Sequence, residues 1–193
     1  MDWQLFKAAA GLRPALADRW WLHVDATWRE FDISSAGRQA AWLAQTGHES
    51  LGFTLTRELW GPTPAQMRYE RDFSAAWPPR AKTDRNRKPF ELGNSEAGDG
   101  KRFRGRGLIQ ITGRANYREC GAALGIDLED KPVLLQGDAL AARSAGWFWF
   151  AKGCNQLADA GDQRALTRRI NGGLNGLDDR MRRYASARQH IGG

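Results

Sequence analysis

The stretch Gly105-Arg106-Gly107-Leu108-Ile109-Gln110-Ile111-Thr112 interrupts a chain of 193 residues that otherwise reads mostly as helices. Glycines this close together let the backbone approach a ligand or turn tightly. The apolar run Leu108 to Thr112 predicts a short strand, and alternation along it sets Gln110 and Thr112 on one side. Gln110 then offers an amide to a sugar hydroxyl and Thr112 a hydroxyl to hold a water. The plain alternative is a turn leading into a buried strand. A phosphate loop does not fit, because the Gly-Lys-Ser/Thr ending is missing.

On the N-terminal side, Ser74 to Arg106 has no periodicity and holds Pro78, Pro79, Pro89, Gly93, Gly98 and Gly100 among Lys82, Arg85, Arg87 and Lys88. This predicts a basic, loop-rich segment or small lobe over 74–106. Further back, Leu16, Trp20, Val24 and Trp28 recur at helical spacing over Arg13 to Phe31. Ser34 or Ser35 caps the next helix, with Ala40, Leu43, Ala44 and Gly47 as its apolar stripe, and Thr63-Pro64 opens a short helix to Tyr69. On the C-terminal side, helices are predicted over Arg114 to Leu124, Asp138 to Ala151, Asp162 to Ile170 and Asp178 to His190. The run Trp147-Phe148-Trp149-Phe150 reads as core, and Cys120 and Cys154 as small buried residues. The expectation is one mainly α catalytic domain over residues 1–193, of α+β lysozyme-like type, with a long loop or small lobe flanking a substrate cleft. No separate wall-binding module is expected.

Composition narrows the functional classes. Hydrophobic residues at 41% and charged residues at 26% describe a globular chain. No apolar window is long enough to span a bilayer, and Met1-Asp2-Trp3-Gln4 does not begin a secretory signal. A balance of 29 basic to 22 acidic residues, net +7, favours polyanionic surroundings without choosing among them. His23, His48 and His190 have no metal-ligand spacing, so neither a metal nor an organic cofactor is expected.

Two carboxyls stand out. Glu49, in His48-Glu49-Ser50, falls where a strong helix ends, and Glu58 follows nine residues later on a looser segment. A part-buried acid and an ionised base are what glycosidic cleavage needs, although solvated helix-end charges are the plainer reading of such a pair. Ile170-Asn171-Gly172-Gly173-Leu174-Asn175-Gly176 marks a turn whose amides can also meet a sugar.

Taken in order, five segments resemble glycoside hydrolase family 19, which includes chitinases and phage and bacterial lysozymes. They are His48-Glu49-Ser50, the run from Gly93 to Gly100, Gly105 to Thr112 with Asn116-Tyr117, Ala141 to Trp149, and Ile170 to Gly173. The resemblance runs from about Gln39 to Arg188 and looks most like the phage endolysin branch. It implies Glu49 as general acid, Glu58 as general base and Thr112 as a holder of the attacking water. It also implies substrate contacts at His48, Gln110, Asn116, Asn171 and Arg180, while Trp60 is the candidate for stacking a sugar ring. Glu70 is the rival base. Leu51 stands where many members have glycine, Leu59-Trp60 where many have polar residues, and residues 74–92 have no counterpart in the family pattern.

The implied activity is inverting hydrolysis of β-1,4 bonds between amino sugars in bacterial peptidoglycan, leading to host cell lysis. Such a mechanism asks for carboxyls about 6.5–9.5 Å apart. Chitin is the alternative substrate. The branch implies a monomer made in the host cytoplasm that reaches the wall through a holin-like membrane partner, without stable membrane insertion. Two other classes compete: a cysteine amidase using Cys120 with His48, and a nucleic-acid-binding protein using the basic segments around Lys82 and Arg168.

Overall fold

The computed structural model describes residues 1–192. Its helices are α1 (Trp3–Ala10), α2 (Pro14–Glu30), α3 (Ala36–Glu49), α4 (Pro64–Met67), α5 (Arg87–Glu91), α6 (Asp99–Arg102), α7 (Arg114–Leu124), α8 (Asp138–Ala151), α9 (Cys154–Asp159), α10 (Gln163–Asn171) and α11 (Leu177–Ile191), with a 3-10 turn at Pro132–Gln136. Two compact units divide them. The first comprises residues 1–56, 107–109 and 137–193, and the second 57–106 and 110–136. The second therefore extends well beyond the 74–106 segment singled out by composition.

The first unit is built on α3. Ala40 through Gly47 are all buried, so this helix is enclosed on every side rather than along one stripe. Ser35 caps it by accepting from the Arg38 amide, as its position predicts. Trp20 and Trp28 of α2 are buried with Phe6, Trp42 and Phe53, and Trp28 meets Trp42 edge-on at 5.9 Å. The Trp20 indole donates to the Phe53 carbonyl at 2.8 Å, which satisfies its one polar atom. On α8, Gly146 permits close packing on α2, because a Cβ there would lie 2.4 Å from both Phe31 and Thr27. The aromatic run on α8 is core only in part: Trp147 and Trp149 are buried, whereas Phe150 is 60% exposed. Residues i and i+3 of a helix face nearly the same way, but i and i+1 do not, so four consecutive aromatics cannot all turn inward. Cys120 and Cys154 are both buried, and burial pushes the Cys154 thiol up to about 12.

The second unit relies on buried polar groups where apolar periodicity is lacking. Asn86, fully buried, accepts from the Asp72 amide at 2.7 Å and donates to the carbonyls of Asp72, Ala75 and Ala76. Asn94 donates to the Tyr69 carbonyl and accepts from the Arg114 amide. Asp99, 1% exposed, holds the Arg114 guanidinium at 2.6 Å. Loops satisfied this way stay in place without a regular ladder. Where composition predicts a loop-rich segment or small lobe over 74–106, two short helices, α5 and α6, form.

The strand predicted over Leu108 to Thr112 does not form. Only isolated bridges join Arg106 to Arg57 and to Ile111, and Gln110 takes a positive φ of 57°. A left-handed residue reverses the chain and ends any two-residue alternation.

Candidate active site

Within the first unit, His48 and Glu49 close α3, and the chain turns sharply after them. Leu51 has φ 49° and Phe53 φ 64°. The left-handed region costs an L-residue about 1–2 kcal/mol, so Leu51 and Phe53 hold a strained turn. Ser50 stabilises the turn by donating to the Thr46 carbonyl and accepting from the Phe53 amide at 2.8 Å.

Helix α11 positions both residues of the pair. Arg180, 1% exposed, bonds Glu49 Oε1 through Nη2 and Gln45 Oε1 through Nη1 at 2.5 Å. Gln45 lies one turn before Glu49 on α3, so a single guanidinium ties together two consecutive turns of that helix. The Glu49 side chain remains 20% exposed, and its Oε2 makes no hydrogen bond among the described residues. One carboxyl oxygen is anchored and the other is left for chemistry. Arg180, expected among the substrate contacts, has its guanidinium buried against Glu49 and Gln45.

His48 Nδ1 lies 2.8 Å from Asp179 Oδ2, and Asp179 also accepts from Arg183 Nε at 2.8 Å. Burial alone would raise the Asp179 pKa, but hydrogen bonds from Arg183 and His48 outweigh it and hold the carboxyl at about 2. Gly176, φ 71°, begins α11 against the His48 ring, where a Cβ would approach to 2.2 Å. Asn171 ends α10, is exposed, and donates from Nδ2 to the Asn175 carbonyl at 3.4 Å. It belongs to the first unit but makes no bond to the Glu49 cluster.

In the second unit, Glu58 is anchored through both oxygens by neutral donors. Gln66 Nε2 reaches Oε1 at 3.0 Å and the Gly105 amide reaches Oε2 at 3.1 Å, while the Glu58 amide donates to the Gly105 carbonyl at 2.8 Å. Gln66 belongs to a capping box with Thr63, so the start of α4 fixes its side chain. Gly105 also admits the other candidates. A Cβ there would fall 2.7 Å from Gln110 Oε1 and 3.3 Å from Thr112 Oγ1. Thr112 donates to the Gln110 carbonyl at 2.9 Å, and Asn116 Nδ2 donates to the Thr112 carbonyl at 2.6 Å. Glu58 is thus bonded to Gly105, and the bonded chain Gln110–Thr112–Asn116 packs against the same glycine. Strand alternation fails as the reason for Gln110 and Thr112 being neighbours, since a turn brings them together.

Trp60 is partly exposed, and its ring centre lies 6.5 Å from that of Tyr69. Glu70, the rival base, accepts from the amides of Gly98 and Lys101 at 3.2 and 3.1 Å and so caps the start of α6. Sequence reasoning missed Gln45, Gln66, Asp179 and Arg183. Two of them carried readable signals: Gln66 sits in the Thr63-x-x-Gln66 box, and Gln45 precedes Glu49 by four residues on one helix. Among the described residues no group of His, Cys, Asp and Glu is placed to hold a metal ion, and no helix is long and apolar enough to cross a membrane.

Residues 29–160 match the protein family described as chitinase class I. A glycosyl hydrolase family 19 domain-containing protein of Haemophilus influenzae is 39% identical over 159 residues, covering 76% of each chain. Endochitinase 1 of Theobroma cacao is 34% identical over 123 residues, and the match spans 61% of this chain but only 34% of that protein. In fold, the chain resembles a bacterial family 19 chitinase with TM-score 0.71 at 21% identity, over 99% of this chain and 94% of the other. Chitinase C of Streptomyces griseus HUT6037 gives TM-score 0.68 at 21% identity, over 99% and 76%. The family match over well more than half the chain and the Haemophilus relative agree with the order of motifs around Glu49 and Gly105, and the chain belongs to glycoside hydrolase family 19, as a chitinase-like hydrolase of glycosidic bonds.

Proposed function

We propose that this hydrolase cleaves β-1,4 bonds of peptidoglycan by an inverting acid/base mechanism and serves as a phage-type endolysin. The observation that carries the chemistry is the contrast in anchoring at the two carboxyls. Glu49 has one oxygen fixed by Arg180 and one left unbonded, as an acid must to reach a leaving oxygen. Glu58 has both oxygens fixed by neutral donors, each keeping a lone pair for a water. Glu49 delivers its proton to the glycosidic oxygen. Glu58 takes a proton from the attacking water, which the Thr112 hydroxyl helps to hold as acceptor, since its own proton is on the Gln110 carbonyl.

Peptidoglycan is favoured over chitin by the net charge of +7, which concentrates the protein on an anionic envelope and makes its action fall with added salt. The chitin reading is favoured by the plant relatives named endochitinases. A monomer held in the host cytoplasm until a holin-like partner opens the membrane follows from the endolysin part of the proposal.

The test compares wild type, Glu49→Gln and Glu58→Gln on outer-membrane-stripped Gram-negative cells and on colloidal chitin. Loss of turbidity with new reducing ends, and a drop of about 10²–10⁴ in each folded variant, is the expected result. Cleavage of chitin alone would replace the substrate. Lysis by folded Glu49→Gln would overturn the assignment of the acid.

A further inference from the structure

Beside the Glu58 cluster, and wholly within the second unit, lies a cavity of about 480 Å³ lined by Trp60, Glu70, Lys101, Arg102, Arg104 and Arg106 among others. Its lining is strongly basic. The other deeply buried arginine, Arg180, has the Glu49 carboxylate, and Arg114 has Asp99 and Glu129. Among the described residues no carboxylate pairs with Lys101, Arg102, Arg104 or Arg106. Arg106 is only 5% exposed, and its Nη1 bonds the Arg102 carbonyl and the Tyr117 hydroxyl, while its Nε has no partner. Arg104 Nε is likewise buried and unpartnered. Burial together with the neighbouring Arg106 and Arg57 pushes the Arg104 pKa down. Glu70 is the one carboxylate on the wall, and both its oxygens are taken by backbone amides. A buried cation without a counter-ion is costly, and the cost is offset when an anion enters.

The aromatic face of Trp60 adds a platform for a sugar or peptide plane. From this cation-rich cluster, which has no salt-bridge partner among the described residues and lies next to the base, we infer that the cavity is a subsite for a carboxylate carried on a substituent of the glycan. Glycan strands of peptidoglycan bear peptides with free carboxylates, whereas an N-acetylglucosamine polymer is neutral. The inference rests on the peptidoglycan reading above and names the feature of that substrate the enzyme recognises. Arg104 and Lys101 are its reporting residues, because Arg106 also supports the backbone.

The experiment measures kcat/KM on soluble, phosphate-free peptidoglycan fragments, and on the same fragments after their carboxylates are converted to amides. Wild type is expected to lose about tenfold on amidation, the scale of a charge-assisted hydrogen bond. The folded double variant Lys101→Ala, Arg104→Ala is expected to fall on native fragments to the level both proteins show on amidated ones, the two losses not adding. If wild type cleaves both forms equally well, or the variant loses equally on both, the subsite is overturned while peptidoglycan stands as substrate. If wild type cleaves neither form but cleaves N-acetylglucosamine oligomers, the substrate reading falls and the subsite with it.

Discussion

The two proposed catalytic carboxyls are held by different kinds of structure. Glu49 ends a helix enclosed on all sides, and a buried arginine from α11 fixes it. Glu58 lies on a loop and depends on a glutamine side chain and a glycine amide. Long helices place a charged pair by tertiary packing, whereas a loop carboxyl must be fixed by local, neutral hydrogen bonds. Disturbing the first should therefore cost fold and activity together. Disturbing the second should cost activity with less damage to the fold.

Arg180→Ala tests this most severely. It leaves Gln45 and one Glu49 oxygen without their donor in a buried site, and breaking such a pair costs about 3 kcal/mol or more. Thermal unfolding should shift down by several degrees, with activity nearly lost. An unchanged midpoint would show that α3 does not depend on this contact. Gln66→Leu should act mainly on function. It removes the donor to Glu58 and the acceptor for the Gly61 and Thr63 amides, about 1–2 kcal/mol of stability, while kcat falls more than tenfold. Equal losses in the two properties would erase the contrast between the carboxyls.

The smallest effect is in acid. Asp179, at about 2 in the fold, lies below the usual carboxylate value of about 3.9. A lowered folded pKa contributes stability that is fully present above about pH 4 and lost as pH falls through 2. Asp179→Asn should therefore flatten the acid limb of the stability curve between these values and leave its slope near neutrality unchanged. A variant that follows wild type across that window would show that the Arg183 and His48 bonds are not what lowers this group.

Much of the helical frame is legible in the sequence because its signals are local. The Arg114 to Leu124 and Asp138 to Ala151 helices form over those residues, and Ser35 and Thr63 cap where their side chains permit. The α1 and α9 helices were not foreseen: eight and six residues are too few for a clear stripe. The strand at Leu108 fails for another reason. Its apolar run is buried as predicted, but the left-handed turn at Gln110 was invisible, since glutamine does not advertise a positive φ.

By itself the sequence determined the family and much of the helical frame, because motif order and capping chemistry are properties of neighbouring residues. Only the tertiary structure decided that Arg180 bonds Glu49, that Asp179 holds His48, and that Gly105 lies against Glu58, Gln110 and Thr112. Those contacts join residues as many as 131 positions apart. They exist only once packing has buried a guanidinium, or left no room for a Cβ, where chain separation gives no hint of the partner.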